Sequence, residues 1–369
     1  MRNSRSAFAA IAAASGAISF GGAALAGQTT VKSEAYEISN ARGMITEDRA
    51  RTIAVADFIG RVEIAVHDGP MTAMVYDGQA EFPVTVTTKG DVLYVKGPKP
   101  LDMNAINKKM WRGNRGDYED RLDKFIADYP TLKVLAPRGA GVKVVDSVAA
   151  ARGGDIGGFL YIDGGYVNAE FGDLMSVEAD IDGAGDILVG EIAKKVALSI
   201  NGSGDFSGVS AGSALIKVNG SGDVELGKIA SGAELMIYGS GDIDLADVGG
   251  PLKLAIAGSG DIQAGRVNGG LDVTINGSGD VGVLSVDGPT KASISGNGDI
   301  NIAGGRASDL TVEIRGSGDF SLAGVSTNLT ALVGGGGVVS VERNEGSLTA
   351  TGDGDVYVGG VQKLKKKHY

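Results

Sequence analysis

Residues 271–283 read Leu271-Asp272-Val273-Thr274-Ile275-Asn276-Gly277-Ser278-Gly279-Asp280-Val281-Gly282-Val283. Every odd position is apolar or glycine, and every even one is polar or glycine. Extended backbone sends successive side chains to opposite faces. Leu271, Val273, Ile275, Val281 and Val283 therefore point inward, while Asn276, Ser278 and Asp280 point outward. Gly277 and Gly279 share the inward parity. The expectation is that the backbone bends there and comes too close to the opposite wall for any side chain. The same parity holds for Leu235, Ile237, Gly239, Gly241, Ile243 and Leu245, and for Leu254, Ile256, Gly258, Gly260 and Ile262.

The phrase Gly-Ser-Gly-Asp inside this stretch returns about every 19 residues, ending at Asp205, Asp223, Asp242, Asp261, Asp280 and Asp319. Variants end at Asp186, Asp299 and Asp355. Self-similarity at a fixed short period marks a repeat architecture, and a unit of this length holds one coil of strand, not a helix pair. A single coil cannot bury its apolar edge alone, so stability comes from stacking on neighbours. The predicted fold is all-β: a single-stranded parallel β-helix, or β-solenoid, of ~19-residue coils, with a short helical insertion in the N-terminal part.

Composition agrees. The 369 residues include 61 glycines, well above the usual share of about 7%. Proline is not enriched and 43% of residues are apolar, which points to an ordered glycine-rich repeat and not to disorder. A formal charge of −11 argues against nucleic acid as a partner, because phosphate contact needs a basic face. The basic cluster Lys363 with Lys365 to Lys367 reads as a solvated tail or as a patch for anionic lipid.

Met1 to Ala26 has the form of a signal peptide. Arg2 and Arg5 make a basic start, Ala7 to Phe20 an apolar stretch, and Ala24-Leu25-Ala26 a small-x-small cleavage site. The mature chain is expected to begin near Gly27, exported to the periplasm, the outer cell surface or the medium, with no integral membrane span after cleavage. The absence of cysteine rules out a disulfide framework and a lipidated cysteine anchor. Residues 27–50 read as a flexible lead-in. Residues 51–97 alternate as short strands at Ile53–Val55, Val62–Val66, Val84–Val86 and Val92–Tyr94. Residues 98–130 read as an inserted loop followed by an amphipathic helix at about 117–128, from the spacing of Tyr118, Leu122, Phe125, Ile126 and Tyr129 before Pro130. Residues 131–360 carry the solenoid repeats and 361–369 the basic tail.

On these features the chain resembles the GIN-domain family of auto-transporter adhesin heads. The likeness rests on Arg51 to Gly69, on Gly90-Asp91-Val92-Leu93-Tyr94-Val95, and on the Gly-Ser-Gly-Asp coils, and it spans most of 51–360. The resemblance implies an exported β-helical protein with adhesion as its role and no catalytic residues to carry over. The insertion at 98–130 and the number of repeats go beyond a minimal domain. No membrane barrel is expected to follow the repeats, so self-translocation is not expected.

The outward aspartates are the sharpest candidate for chemistry: Asp186, Asp205, Asp223, Asp242, Asp261, Asp280, Asp299, Asp319 and Asp355, beside a hydroxyl column of Ser203, Ser221, Ser240, Ser259, Ser278 and Ser317. Two readings stand. Each aspartate closes a glycine turn by accepting backbone N–H groups, or the column binds divalent cations such as calcium weakly between coils. Val338, after Gly334 to Gly337, stands where an aspartate is expected, marking a local apolar spot or a tighter coil. Arg115-Gly116-Asp117 is a tripeptide too short to carry a role. Trp111 with Tyr118 makes either an exposed aromatic contact or a cap over the end of the solenoid. Histidine occurs only at His67 and His368, leaving little for a triad or a zinc site. The expected protein is not an enzyme and holds no cofactor. It presents a polar solenoid surface to glycans, envelope polymers or proteins. A polysaccharide lyase or hydrolase using paired carboxylates, and an envelope-stress scaffold docking a partner through 98–130, are the alternatives. Oligomeric state is not readable.

Overall fold

The computed structural model describes residues 29–30, 36–38, 43–76, 78–110 and 118–364. The signal peptide, Trp111, the Arg115-Gly116-Asp117 tripeptide, Lys365 to Lys367 and His368 lie outside them. The described chain is nearly all β-strand, with two helices, and its contacts divide it into two units, Met1–Glu191 and Ile192–Tyr369. The solenoid predicted from the repeat is present.

In the second unit, parallel pairing steps from coil to coil through columns of equivalent residues. Phe206, Val224, Ile243, Ile262, Val281, Ile300, Phe320, Val339 and Val356 form one column. All nine are buried. A second runs Ala214, Ala233, Leu252, Leu271, Thr290, Leu310, Leu329 and Leu348. A third passes through Ile229, Val248, Val267 and Val286. The inward parity read from the sequence holds, and each fully buried aliphatic side chain contributes about 1.5–3 kcal/mol of hydrophobic stabilisation. Thr290 interrupts the leucine column, its hydroxyl directed at the Gly288 carbonyl at 3.4 Å.

The glycines are explained differently from the expectation. A Cβ on Gly277 would stand 1.9 Å from the carbonyl oxygen of Gly258, one coil below, and one on Gly279 would stand 2.0 Å from that of Gly260. The obstacle is the backbone of the neighbouring rung, not the opposite wall. Tight bends stacked in register bring the peptide planes together along the stack, and only glycine leaves room.

The first unit departs from simple stacking order. Thr52–Ala56 pairs in parallel with Val92–Lys96 on one side and with Gly141–Gly153 on the other. Ile59–His67 lies likewise between Thr131–Pro137 and Gly141–Gly153. The chain lays one coil, leaves it to build the next outer coil, and returns to its inner side. The outer coil's open edges are covered by antiparallel strands: Val84–Lys89 on Val92–Lys96, and Met71–Tyr76 on Thr131–Pro137. Tyr36–Ile38 and Gly43–Glu47 pair onto those in turn. Residues 27–50, expected as a flexible lead-in, thus contribute strands. In the second unit Val361–Leu364 folds antiparallel onto Asp355–Val358 and covers that edge. Covering an edge removes the unpaired N–H and C=O groups that template aggregation.

The insertion holds two helices, α1 (Met103–Met110) and α2 (Tyr118–Ile126). The segment ahead of α2 was expected as a loop. Asp102 starts α1 by accepting the Ala105 N–H at 3.1 Å. Met110, Leu122 and Ile126 are buried against Ile59, Val148 and Ala150, which stand on the outward faces of their strands. The helices cover the side wall of these coils, and Arg61 on the same wall meets Asp123 at 3.5 Å.

Candidate functional site

The aspartate column is a hydrogen-bonded ladder. Asp205 Oδ1 accepts the backbone N–H of Asp223 at 2.8 Å, and the pattern repeats through Asp242, Asp261, Asp280, Asp299 and Asp319 at 2.7–2.8 Å. Asp319 Oδ1 in turn accepts the N–H of Val338, so the gap in the acid column leaves the ladder bond intact. The aspartates themselves face outward, exposed or half-buried, as the parity predicted.

Backbone geometry explains the residue type. At each bend the serine N–H finds the first glycine carbonyl of the coil below, as Ser259 does with Gly239 at 3.0 Å. The residue after the aspartate donates to the next coil's aspartate carbonyl, as Ile243 does to Asp261 at 2.9 Å. The aspartate N–H sits between these and is met by a carboxylate. An ionised acceptor makes this a charge-assisted bond, stronger than a neutral one. The turn-closing reading is therefore realised between coils and not within one.

The same device recurs outside the Gly-Ser-Gly-Asp phrases. Asp155 Oδ1 accepts the Asp173 N–H at 3.0 Å and Asp173 Oδ1 the Glu191 N–H at 2.9 Å. Its signal was an 18-residue repeat of glycine followed by an acid, at Gly154-Asp155, Gly172-Asp173 and Gly190-Glu191. Asn168, Asp247 and Asn328 play the same part for Asp186, Arg266 and Ser347. Asp247 is held below the usual carboxylate range, first by the Arg266 backbone N–H and then by its guanidinium. Asp244, beside the main column, is pushed up by burial and by Asp242 and Asp223.

Two further polar features stand outside the ladders. In the first unit, Asp57 and Asp146 take the left-handed backbone conformation at a corner, with φ of 51° and 45°. Burial and the nearby Asp57, Asp163 and Asp182 push the Asp146 carboxyl up. His67 Nε2 lies 2.7 Å from the Pro70 carbonyl, so that nitrogen carries the proton and the ring is tied to its own turn. Among the described residues no group of three or more His, Cys, Asp or Glu is placed to hold a metal ion.

A groove of about 910 Å³ opens on the second unit. One wall is a row in strict register: Leu215, Glu234, Lys253, Asp272, Lys291 and Thr311. The floor follows the corner ahead of it, where Gly232, Pro251, Gly270 and Pro289 alternate. Glu234 and Lys253 pair across adjacent rungs at 2.8 Å.

The family described as "putative auto-transporter adhesin, head GIN domain" matches residues 60–285 and 230–345. The chain belongs to this GIN-domain family. The matched span covers the aspartate ladder and the re-entrant coils from residue 60 onward. No curated protein matches the chain. Among the described residues no helix is long and apolar enough to cross a membrane.

Proposed function

We propose that the protein is an exported, non-enzymatic, adhesin-like binding protein whose repeated polar face engages glycans, envelope polymers or proteins. One observation carries this reading: exposed Ser203, Ser221, Ser240, Ser259, Ser278 and Ser317 stand beside the aspartate ladder, one set per rung. Parallel rungs lie about 4.8 Å apart. A polymer lying along the stack therefore meets the same hydroxyl and carboxylate on five successive rungs, from Ser203 to Asp280, with Asn297 replacing the hydroxyl on the next. Many weak identical contacts add by multivalency. The ladder's Oδ1 atoms are engaged in backbone hydrogen bonds, which suits a rigid presenting surface better than a proton-transfer site. Membership of the adhesin-head family supports the same reading, and the signal peptide form of Met1 to Ala26 supports export.

The test is binding of the mature chain to isolated envelope polymers and to a glycan array, alongside fractionation of cells expressing a tagged chain. Retention that weakens when Ser221, Ser240, Ser259 and Ser278 are all replaced by Ala supports the proposal. A cytoplasmic chain, or one retained by no envelope fraction, overturns it.

A further inference from the structure

The groove in the second unit carries an alternation of charge that matches itself. Along one row, on four successive rungs, stand Glu234, Lys253, Asp272 and Lys291. Their signs run minus, plus, minus, plus, over about 14 Å at the parallel-strand spacing. Lys253 and Lys291 are exposed, Glu234 and Asp272 half-buried. Within the chain Glu234 pairs with Lys253, while Lys291 forms no ion pair among the described residues.

An antiparallel copy of such a row is its complement. A two-fold axis lying along the strand direction, midway between Lys253 and Asp272, sets Glu234 opposite Lys291 of a second copy and Lys253 opposite its Asp272. The same operation acts on the corner beside the row. There the order is Gly232, Pro251, Gly270, Pro289, with both prolines exposed. Each proline then faces a glycine of the second copy, a projecting ring against a position with no side chain. Charge and relief therefore alternate with the same centre, which is what an isologous interface requires.

We propose that this groove is a self-association surface on which two copies of the chain pair antiparallel. Its charged pairs stand at the rim, so it is a reversible contact sensitive to salt. It does not rest on the adhesive reading of the serine and aspartate face, and the two can fail separately.

The experiment is sedimentation equilibrium of the mature full chain and of two charge-sorted variants. Glu234→Lys with Asp272→Lys makes the row all positive; Lys253→Glu with Lys291→Glu makes it all negative. The native chain should form dimers at low ionic strength that weaken in high salt. Each variant alone should dimerise more weakly by about tenfold or more, since every cross pair becomes repulsive. An equimolar mixture of the two should restore association as a heterodimer, an outcome that misfolded variants could not give. A native chain that stays monomeric at every concentration overturns the proposal. So do variants that self-associate as the native chain does, or a mixture that fails to pair. Capture of an envelope glycan in the groove by a chain that remains monomeric also counts against it.

Discussion

At the scale of single residues, the repeat is governed by backbone contacts between rungs. Gly277→Ala places a methyl 1.9 Å from the Gly258 carbonyl oxygen, and a carbonyl in a stacked bend has nowhere to retreat. The expected loss is about 1–3 kcal/mol or more in urea unfolding. Gly154→Ala, with nothing within 4 Å of its Cβ, is the neutral control. The ladder makes a second prediction. Asp261→Ala leaves the Asp280 N–H without its 2.7 Å acceptor and should cost about 1 kcal/mol. Asp261→Asn keeps an Oδ1 acceptor and relieves repulsion in a column of like charges while giving up the charge assistance of the bond, so it should cost less than Asp261→Ala. Equal losses in the two variants would show that the carboxylate's charge, not its acceptor oxygen, matters. Asp146 yields a prediction of opposite sense. Its carboxyl is raised above the ordinary aspartate value of 3.8, so its ionised form burdens the folded state at neutral pH. Asp146→Asn, a residue that tolerates the left-handed conformation, should raise the melting temperature at pH 7. The gain should shrink as pH falls through the raised titration and vanish below 3.8, where folded and unfolded carboxyls are both protonated.

Elements were legible where one face met the core and the other met water. Leu252–Ile256 and Leu271–Ile275 alternate buried with half-buried or exposed residues, and the period of two declared them. Met71–Tyr76 is buried on both faces, between Gly43–Glu47 and Thr131–Pro137, so it shows no alternation to read. The coil order of the first unit was hidden for another reason: a strand's pattern says which face is buried but not which strand lies beside it. α1 was missed because Asn104, Asn107, Lys108 and Lys109 dilute its apolar face, which rests on Met103, Ile106 and Met110. The glycine periodicity was plain, but its cause lay in the neighbouring rung, which no single coil displays. The aspartate column and its outward direction were readable. Its partner, an amide one coil away, was not. α2 gives this scale its prediction. Leu122→Ala empties a site that is 1% exposed between α2 and the outward wall formed by Ile59, Val148 and Ala150. It should cost about 2–5 kcal/mol. Hydrogen exchange should show the loss of protection concentrated in α2 and in the strands beneath it, and an unchanged α2 would mean that the helix is held by other contacts.

At the scale of the whole molecule, a solenoid answers perturbation differently from a globule, because each rung touches only the rungs above and below. Ile275 is fully buried, with Ile256 and Ile294 as its register partners on either side. Ile275→Ala should remove about 2–5 kcal/mol from that stack of three side chains. In a two-state globule the whole loss would appear at every protected amide. In a nearest-neighbour stack it should appear as faster exchange in Leu252–Ile256, Leu271–Ile275 and Val281–Ile294. Protection in Phe206–Val218, several rungs away in the same unit, should hold. Native-state hydrogen exchange reads both quantities in one experiment. The bonds that would resist such local opening are those that cross rungs, including the aspartate ladder, whose charge-assisted links tie each bend to the next without involving the core. Uniform loss across the unit would therefore show that these links couple the rungs strongly enough to make them open as one.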